Sequence, residues 1–426
     1  MKGNATIPVH GDAKGAAPAA TSPGRKCLLR ILWRFVQLVL LAVTFLTLDW
    51  FRSAALVWSA TARGGAVECR VFSDPVRHHS YKPNCTFKVD WGKAKDWYDF
   101  STNSLGLRDE RIREVPATDI RPRILALGDS MTEGMVAWRD SYVGRIAAHF
   151  PQYDVLNGGV ISYSPSNYLN VTRMVLNKGI DIDEVIVFID ISDVQDEAAF
   201  YRDADASGAV APPQRRRSIL TWDARVLNNI ARHFLFTNHL LEYFERFFIA
   251  SGHYYLPMVD DTNVFDIERD AWTYRKASET EPFKVGYAPL GVEGGIAKEK
   301  AKMTLLWQGL EKRNIAISVV VYPHPAQIVH DTVDSRQVRI WRDWCEGKCK
   351  RFISLFPAVF AAKVQCPRLQ PGCWYPRLFF LRDVHYNATG NALLANVVIE
   401  SLTKEPPTKR PGTALQPEST QGSDTR

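Results

Sequence analysis

The sequence predicts an α/β protein with an open, mostly parallel sheet sandwiched between helices. Along the chain, short apolar runs without helical period alternate with stretches whose apolar residues recur every three or four positions. In addition, residues able to do chemistry follow the apolar runs directly, and an open parallel sheet binds its ligands at the carboxyl ends of its strands. The elements predicted in this way are strands 153–157, 185–190 and 315–322, and helices 166–178, 297–313 and 336–344.

Length and charge limit the classes of protein to which this chain can belong. The chain has 426 residues, of which 46% are hydrophobic and 11% aromatic, so it can bury a large core. Its formal charge of +7 is the small difference between 53 basic and 46 acidic residues. The densest basic run, 215–217, has no aromatic residues beside it for base stacking, so no nucleic-acid partner is expected.

The N-terminal region predicts membrane attachment. Residues 1–24 are small, polar and proline-containing, and they should form a disordered cytoplasmic tail. Residues 28–50 are long and apolar enough to cross a bilayer as a single-pass anchor, and basic residues precede them. This positive flank places the N-terminus in the cytoplasm and the main domain in the periplasm or outside the cell. The alternative is a cleavable signal peptide ending at the small residues of 60–62, which would also export the domain.

The cysteines agree with export. Cys27 belongs to the anchor, and the other six fall into three close pairs along the chain, as expected for local disulfides in an oxidising compartment. Reduced thiols are the alternative. Because no Cys-x-x-Cys spacing occurs, neither a zinc site nor another metal or cofactor is expected. The simplest pairing is Cys69–Cys85, Cys345–Cys349 and Cys366–Cys373.

Further segments complete the predicted organisation. Residues 63–120 form a lead-in segment, expected as a strand and turn at the domain edge, and residues 121–403 form the main domain. Residues 196–296 interrupt the alternation, and within them 219–250 is apolar at helical spacing. This insertion is interpreted as a helical subdomain over the sheet edge, or as a lid that binds an acceptor and touches the membrane. Residues 404–426 are expected to be a disordered tail.

Ser130 is the candidate nucleophile. It follows the apolar run 123–127 and a Gly-Asp turn, and a helical pattern comes after it. A serine in this position has an accessible hydroxyl, and its own N–H can face an anion. The alternative is that Ser130 only caps the following helix.

A second stretch supplies the partners of a nucleophilic serine. Another apolar run, interpreted as a strand, leads into Asp383 and His385, and a helix pattern follows at 388–402. Serine, histidine and aspartate at strand ends of one domain are the parts of an acyl-transfer triad.

These two stretches, together with 154–164 and 185–193 between them, resemble the SGNH (GDSL-type) hydrolase family, and the blocks occur in that family's order. The resemblance implies a flavodoxin-like three-layer fold in which Ser130 is the nucleophile, His385 the general base and Asp383 the residue that orients the histidine. It also implies an oxyanion hole made mainly by the N–H groups of Ser130 and Ser162. The positions assigned to oxyanion or substrate binding are Ser162, Ser192, Gly159 and Asp193.

The chain departs from the family pattern at three points. The family usually spaces its aspartate and histidine by three positions, whereas Asp383 and His385 are two apart. In an extended segment residues two apart point the same way, so contact remains feasible. Ser162 stands where the family commonly has glycine, and Ser192 where it has asparagine. A serine hydroxyl reaches less far than an amide, so Ser192 is expected to contribute only at short reach or through a water.

Three functions from different classes are consistent with the sequence. The first is an exported, membrane-anchored ester hydrolase acting on acylated glycans or lipids through an acyl-enzyme. The second is an O-acyltransferase that modifies a cell-surface polysaccharide and needs a membrane partner protein to supply the acyl donor. The third is a non-catalytic binding module with a degenerate site. A weaker interpretation is a cation site made by the acidic residues Asp190, Asp193, Asp196 and Glu197. His324 is interpreted as a loop residue near the pocket.

Overall fold

The computed structural model describes residues 23–61, 69–89, 97–201, 233–253, 268–275 and 286–410. Helix α1, Pro23–Thr61, extends beyond the predicted 28–50 at both ends. Within the described residues, α1 is the one helix that is long and apolar enough to cross a membrane, over Cys27–Ala55. The hydrophobic side chains of this stretch are exposed. The predicted tail at residues 1–24 lies outside the described residues except for its last two, which are helical.

Within the described ranges, the main sheet has eight strands, of which five are parallel. Counted from one edge, the order is β10-β9-β8-β6-β7-β5-β4-β3; the first five are parallel and the last three antiparallel, and β1 and β2 form a separate hairpin. The strands are β1 Arg70–Asp74, β2 His78–Tyr81, β3 Thr86–Val89, β4 Tyr98–Thr102, β5 Arg108–Asp109, β6 Arg123–Leu127, β7 Asp154–Asn157, β8 Glu184–Ile189, β9 Ala316–Val321 and β10 Arg351–Ser354.

Helices cover both faces of this sheet, which confirms the predicted fold class. Short 3-10 helices lie at Trp138–Asp140 and Glu268–Thr273. The α-helices after α1 are α2 Ser130–Glu133, α3 Tyr142–His149, α4 Pro165–Asn177, α5 Ser192–Ala199, α6 Leu235–Ala250, α7 Gly291–Glu311, α8 Pro325–His330, α9 Arg336–Cys345, α10 Phe356–Val364, α11 Trp374–Leu378 and α12 Ala388–Lys404.

Successive side chains along each strand point to opposite faces of the sheet, so the core has one part on each face. On β6, Leu125 and Leu127 point to the face covered by α4, α7 and α9, whereas Ile124 and Ala126 point to the face covered by α3, α10, α11 and α12. Because the central strands are buried on both sides, their sequence is continuously apolar rather than alternating.

The lead-in segment is larger than a strand and turn. Its strands β3, β4 and β5 extend the main sheet on the side of β7, and the β1–β2 hairpin is tied to β3 by the Cys69–Cys85 disulfide. The predicted pairs Cys345–Cys349 and Cys366–Cys373 are also disulfides. All three predicted pairs are therefore confirmed.

Two sequence predictions at the C-terminal side are wrong. No strand leads into Asp383; the apolar residues there form helix α11 and a loop, because tryptophan and tyrosine of that helix pack into the core. The tail does not begin at 404, since Lys409 pairs with Asp181 and Asp183, and the N–H of Arg410 donates to Asp183. Residues 411–426 of the predicted tail lie outside the described residues.

Candidate active site

Ser130 lies at the carboxyl end of the central strand β6, where the chain turns directly into helix α2. Gly128 makes this turn possible, because a Cβ there would lie 1.9 Å from the hydroxyl oxygen of Thr132. The carboxylate of Asp129 caps α2 by accepting a hydrogen bond from the N–H of Met131 at 2.9 Å. The serine is therefore the first residue of the helix and not its cap.

The structure brings Ser130, His385 and Asp383 into one hydrogen-bonded chain. Ser130 Oγ lies 2.8 Å from His385 Nε2, and His385 Nδ1 lies 2.6 Å from Asp383 Oδ1. The side chains of His385 and Asp383 are 13% and 16% exposed, so the site is reachable from the surface. This is the order of contacts that a nucleophile, a base and an orienting carboxylate need.

A tight loop, and not an extended strand, allows contact across a spacing of two. The N–H of Phe380 donates to the carbonyl of His385 at 3.0 Å, which closes the loop. Within it, the N–H of His385 also donates to Asp383 Oδ1, at 3.2 Å. The phenol oxygen of Tyr375 on α11 contacts both the N–H and the carbonyl of Asp383, at 3.0 and 2.9 Å. The short spacing is therefore compensated by a carboxylate that bends back toward the histidine.

Ser162 retains the backbone geometry that explains a glycine at this position in the family pattern. Its φ is +58°, in the left-handed region that glycine adopts most easily. Its carbonyl accepts a hydrogen bond from the hydroxyl of Tyr201, which fixes the peptide on one side. By contrast, the N–H of Gly159 already donates to Asn157 Oδ1 at 2.9 Å. Among these two, the amide of Ser162 is the better candidate for an oxyanion donor.

The hydrogen-bond donors of Ser192 are both directed to Asp190. Its N–H and its hydroxyl both donate to Asp190 Oδ1, each at 2.6 Å, so in this arrangement neither is available to a substrate oxygen. Asp193 is fully buried and accepts from the hydroxyl of Tyr168 at 3.0 Å, which places it beneath the site rather than at its surface. In this structure, the polar groups of these two residues are therefore bonded to other protein side chains.

We expect Ser192→Ala to lower the kcat of ester hydrolysis by less than about tenfold, because loss of a true oxyanion donor costs on the order of a hundredfold or more. Steady-state kinetics with a short-chain aryl ester checks this. A loss as large as that caused by removing Ser130 would show that the hydroxyl leaves Asp190 during the reaction and is a principal donor.

Behind the serine lies a buried charge network that the sequence did not reveal. His324, expected as a loop residue near the pocket, lies in the loop between β9 and α8; it is buried and directly precedes the first residue of α8. Its Nε2 lies 2.9 Å from Asp190 Oδ2, and its Nδ1 lies 3.3 Å from Asp270 Oδ2. Arg269 contacts both His324 Nδ1, at 3.1 Å, and Asp270 Oδ1, at 2.9 Å.

This network lowers the pKa of one carboxyl group, that of Asp190, and raises the pKa of another, that of Asp129. Burial alone would lower the pKa of His324, but Asp190 and Asp270 override it and raise that pKa to about 9. The imidazolium in turn holds the pKa of Asp190 below its ordinary range, against the opposing effect of burial. Asp129 is affected in the opposite direction: burial and its hydrogen-bonded neighbour Asp190 raise its pKa to about 7. Since Asp129 Oδ2 lies 3.1 Å from Ser130 Oγ, its protonation changes the surroundings of the nucleophile.

Asp129→Asn should change how stability depends on pH. An aspartate ionises near pH 3.8 in the unfolded chain and near about 7 in this folded site. The stabilising difference is thus present below pH 3.8 and is lost as pH rises to about 7. Urea unfolding at several pH values should show the wild type losing stability relative to Asp129→Asn over that window, and no further change above it. The exposed Asp99→Asn is the control; a difference that does not vary with pH would contradict the assignment.

The alternative of a cation site finds no support in the contacts of Glu197. Its carboxylate accepts from the hydroxyls of Ser164 and Ser166, at 2.7 and 2.8 Å, and pairs with Lys298 at 3.3 Å. Within the described ranges, no group of histidine, cysteine, aspartate and glutamate side chains has an arrangement that could hold a metal ion.

A small pocket of about 180 Å³ beside the histidine completes the site. It is lined by Met131, Met135, Tyr142, His385, Tyr386 and Asn391. Asn391 on α12 accepts from the N–H of Tyr142 at 3.0 Å, so the helix after the histidine is joined to the helix after the serine.

Comparisons with known proteins give only distant likenesses. No family model matches the sequence, and no curated protein matches it. Among solved structures, a catalytic mutant of Axe2, an acetylxylan esterase from Geobacillus stearothermophilus, is similar with a TM-score of 0.35 and 12% identity, over 66% of this chain and 95% of that one. LAE5, an alpha/beta hydrolase enzyme from the metagenome of Lake Arreo, Spain, is similar with a TM-score of 0.32 and 11% identity, over 67% of this chain and 97% of that one. Likenesses at this level carry no functional assignment.

Proposed function

We propose that this protein is a serine ester hydrolase of the SGNH type, anchored in the membrane by α1, with its domain on the outer side. The observation that supports the proposal is the hydrogen-bonded chain from Ser130 through His385 to Asp383 at the carboxyl end of the parallel sheet. A binding module has no need of a base 2.8 Å from a serine hydroxyl and a carboxylate 2.6 Å behind that base.

The proposed mechanism has two steps. His385 Nε2 takes the hydroxyl proton as Ser130 Oγ bonds to the ester carbonyl carbon, and Asp383 stabilises the imidazolium that forms. The N–H groups of Ser130 and Ser162 hold the tetrahedral oxyanion. His385 then gives its proton to the departing alcohol, which leaves an acyl-serine. Water attacks the acyl carbon, His385 takes one of its protons, and the acid is released as the proton returns to Ser130.

We propose O-acylated glycans or lipids as the substrate class. His385 and Asp383 are partly exposed and the pocket beside them is small, which suits a short acyl group on a larger molecule. The three disulfides support a domain that works in an oxidising compartment, where such substrates occur. The same acyl-serine would serve a transferase if a sugar hydroxyl replaced water, and that function would need a partner to deliver the acyl donor.

The full-length protein in detergent micelles, incubated with short-chain aryl esters with and without a polysaccharide acceptor, tests the proposal. Free acid that accumulates at a rate independent of the acceptor supports the hydrolase. Acylated polysaccharide formed at the expense of free acid would replace hydrolysis by transfer. No release of the aryl alcohol above that of the Ser130→Ala variant would overturn both and leave a binding module.

A further inference from the structure

Helix α6, in the insertion, exposes an apolar stripe that the proposed activity does not use. Its buried side chains are Leu235, Glu245 and Ile249, which face the domain. The exposed aromatic and aliphatic side chains recur at three-to-four spacing and form one broad face of the helix. They are Phe236, Leu240, Leu241, Tyr243, Phe244, Phe247 and Phe248.

The start of α6 is held by the apolar helix α1. The carboxylate of Asp49 accepts hydrogen bonds from the N–H groups of Phe236 and Thr237, at 2.9 and 2.8 Å, and from the hydroxyl of Thr237 at 2.7 Å. Ser53 accepts from the N–H of Leu235 at 2.9 Å. Side chains of α1 thus satisfy the first N–H groups of α6, which would otherwise lack partners.

This contact fixes the depth of α6 relative to a bilayer that α1 crosses. Asp49 comes directly after the apolar run that ends at Leu48, and Trp50 follows it, as at the boundary between hydrocarbon and head groups. A helix that starts at this depth, with one face on a folded domain and an aromatic stripe on another, has the form of an interfacial helix.

We propose that α6 lies on the outer surface of the lipid bilayer, with its exposed apolar stripe inserted among the lipids. The occupant of the stripe is therefore the membrane itself, and the domain has two attachments to it, α1 and α6.

The contact between α1 and the start of α6 also indicates that α1 stays in the mature protein. Cleavage after Ala62 would remove Asp49 and Ser53 and leave the start of α6 uncapped.

The position of α6 also brings the candidate active site to the membrane. Buried Glu245 pairs with Arg382 at 2.8 Å, and Arg382 directly precedes Asp383 in the loop that carries the histidine. Helix α6 packs on α11, whose Tyr375 holds the same loop. An acyl group at or near the lipid surface would thus be within reach of the site.

The test uses the full chain in vesicles of phosphatidylcholine and phosphatidylglycerol, with an environment-sensitive fluorophore on a single introduced cysteine. Cys27 is the one cysteine of seven outside a disulfide, so Cys27→Ser provides the background. Leu241→Cys reports on α6, and Leu305→Cys on α7 is the matched control, since these leucines are 51% and 46% exposed. Leu38→Cys reports on the anchor.

The expected result is quenching by spin-labelled lipids and blue-shifted emission at positions 38 and 241, and neither at 305. Quenching at 38 with a water-like signal at 241 would overturn the proposal while keeping the anchor. A water-like signal at both would overturn the anchor as well.

Disulfide cross-linking between copies at 241 that replaces lipid quenching would assign the stripe to a second copy of this chain. If Leu241→Cys does not fold, Phe247→Cys, at 59% exposure, takes its place. None of these readouts depends on ester turnover.

Discussion

Ser130→Ala should lower the kcat of ester hydrolysis by at least about ten-thousandfold, and the oxyanion hole and substrate binding should leave only a small residual rate. His385→Ala should lose as much, and the double variant should lose no more than either one. The reason is that the serine hydroxyl is a weak nucleophile until His385, 2.8 Å away, takes its proton, so the two residues act as a unit. Burst and steady-state kinetics with an aryl ester measure all three variants.

Matched controls separate a chemical effect from a structural one. Ser401→Ala and His149→Ala change the same residue types on α12 and on the exposed end of α3, and both should retain wild-type kcat. The thermal unfolding of the Ser130 variant should stay within a few degrees of the wild type, since one hydroxyl is removed from a partly accessible site. Wild-type turnover in Ser130→Ala would remove the hydrolase proposal. Asp383→Asn should lose less than Ser130→Ala, because the base remains but is wrongly oriented.

The sheet could be predicted from sequence where burial leaves a clear pattern. Strands β8 and β9 are apolar except for Glu184 and Ser318, and the predicted 185–190 and 315–322 differ from Glu184–Ile189 and Ala316–Val321 by one residue at each end. Strand β10 was missed because it has only four residues and begins with Arg351, which is buried through its pairing with Glu184. A short strand whose burial depends on an ion pair has no apolar pattern to show.

The meeting of serine, aspartate and histidine was predictable, but the way they meet was not. Gly-Asp-Ser follows the end of strand β6, as predicted. Asp383 and His385 instead lie on the loop between α11 and α12, so no strand end brings them to the serine. The direction of the Ser192 hydroxyl, which donates to Asp190 two residues earlier, had no signal in the sequence. The partners of His324 are 134 and 54 residues away from it, and Asp270 comes from the insertion, so no local signal joins them.

His324→Ala should be strongly destabilising. It would leave Asp190 buried without the cation that pairs with it, while Asp270 would keep Arg269, and breaking a buried ion pair by removing one partner costs about 3–5 kcal/mol. Urea unfolding at neutral pH measures the loss of free energy of unfolding. His149→Ala, at an exposed histidine, should stay within about 0.5 kcal/mol of the wild type. If His324→Ala does not fold, Asp270→Asn, which removes one of the two anions, gives a smaller loss in the same direction.

A pH series distinguishes this electrostatic role from simple packing. Histidine titrates near 6.5 in the unfolded chain and His324 near about 9 in the folded one, so its stabilising effect is complete below pH 6.5 and is lost as pH rises through 9. The wild type should therefore lose stability over that window, and a folded His324 variant should not. Equal pH slopes in the two proteins would mean that His324 is neutral in the fold and that Asp190 is held by hydrogen bonds alone.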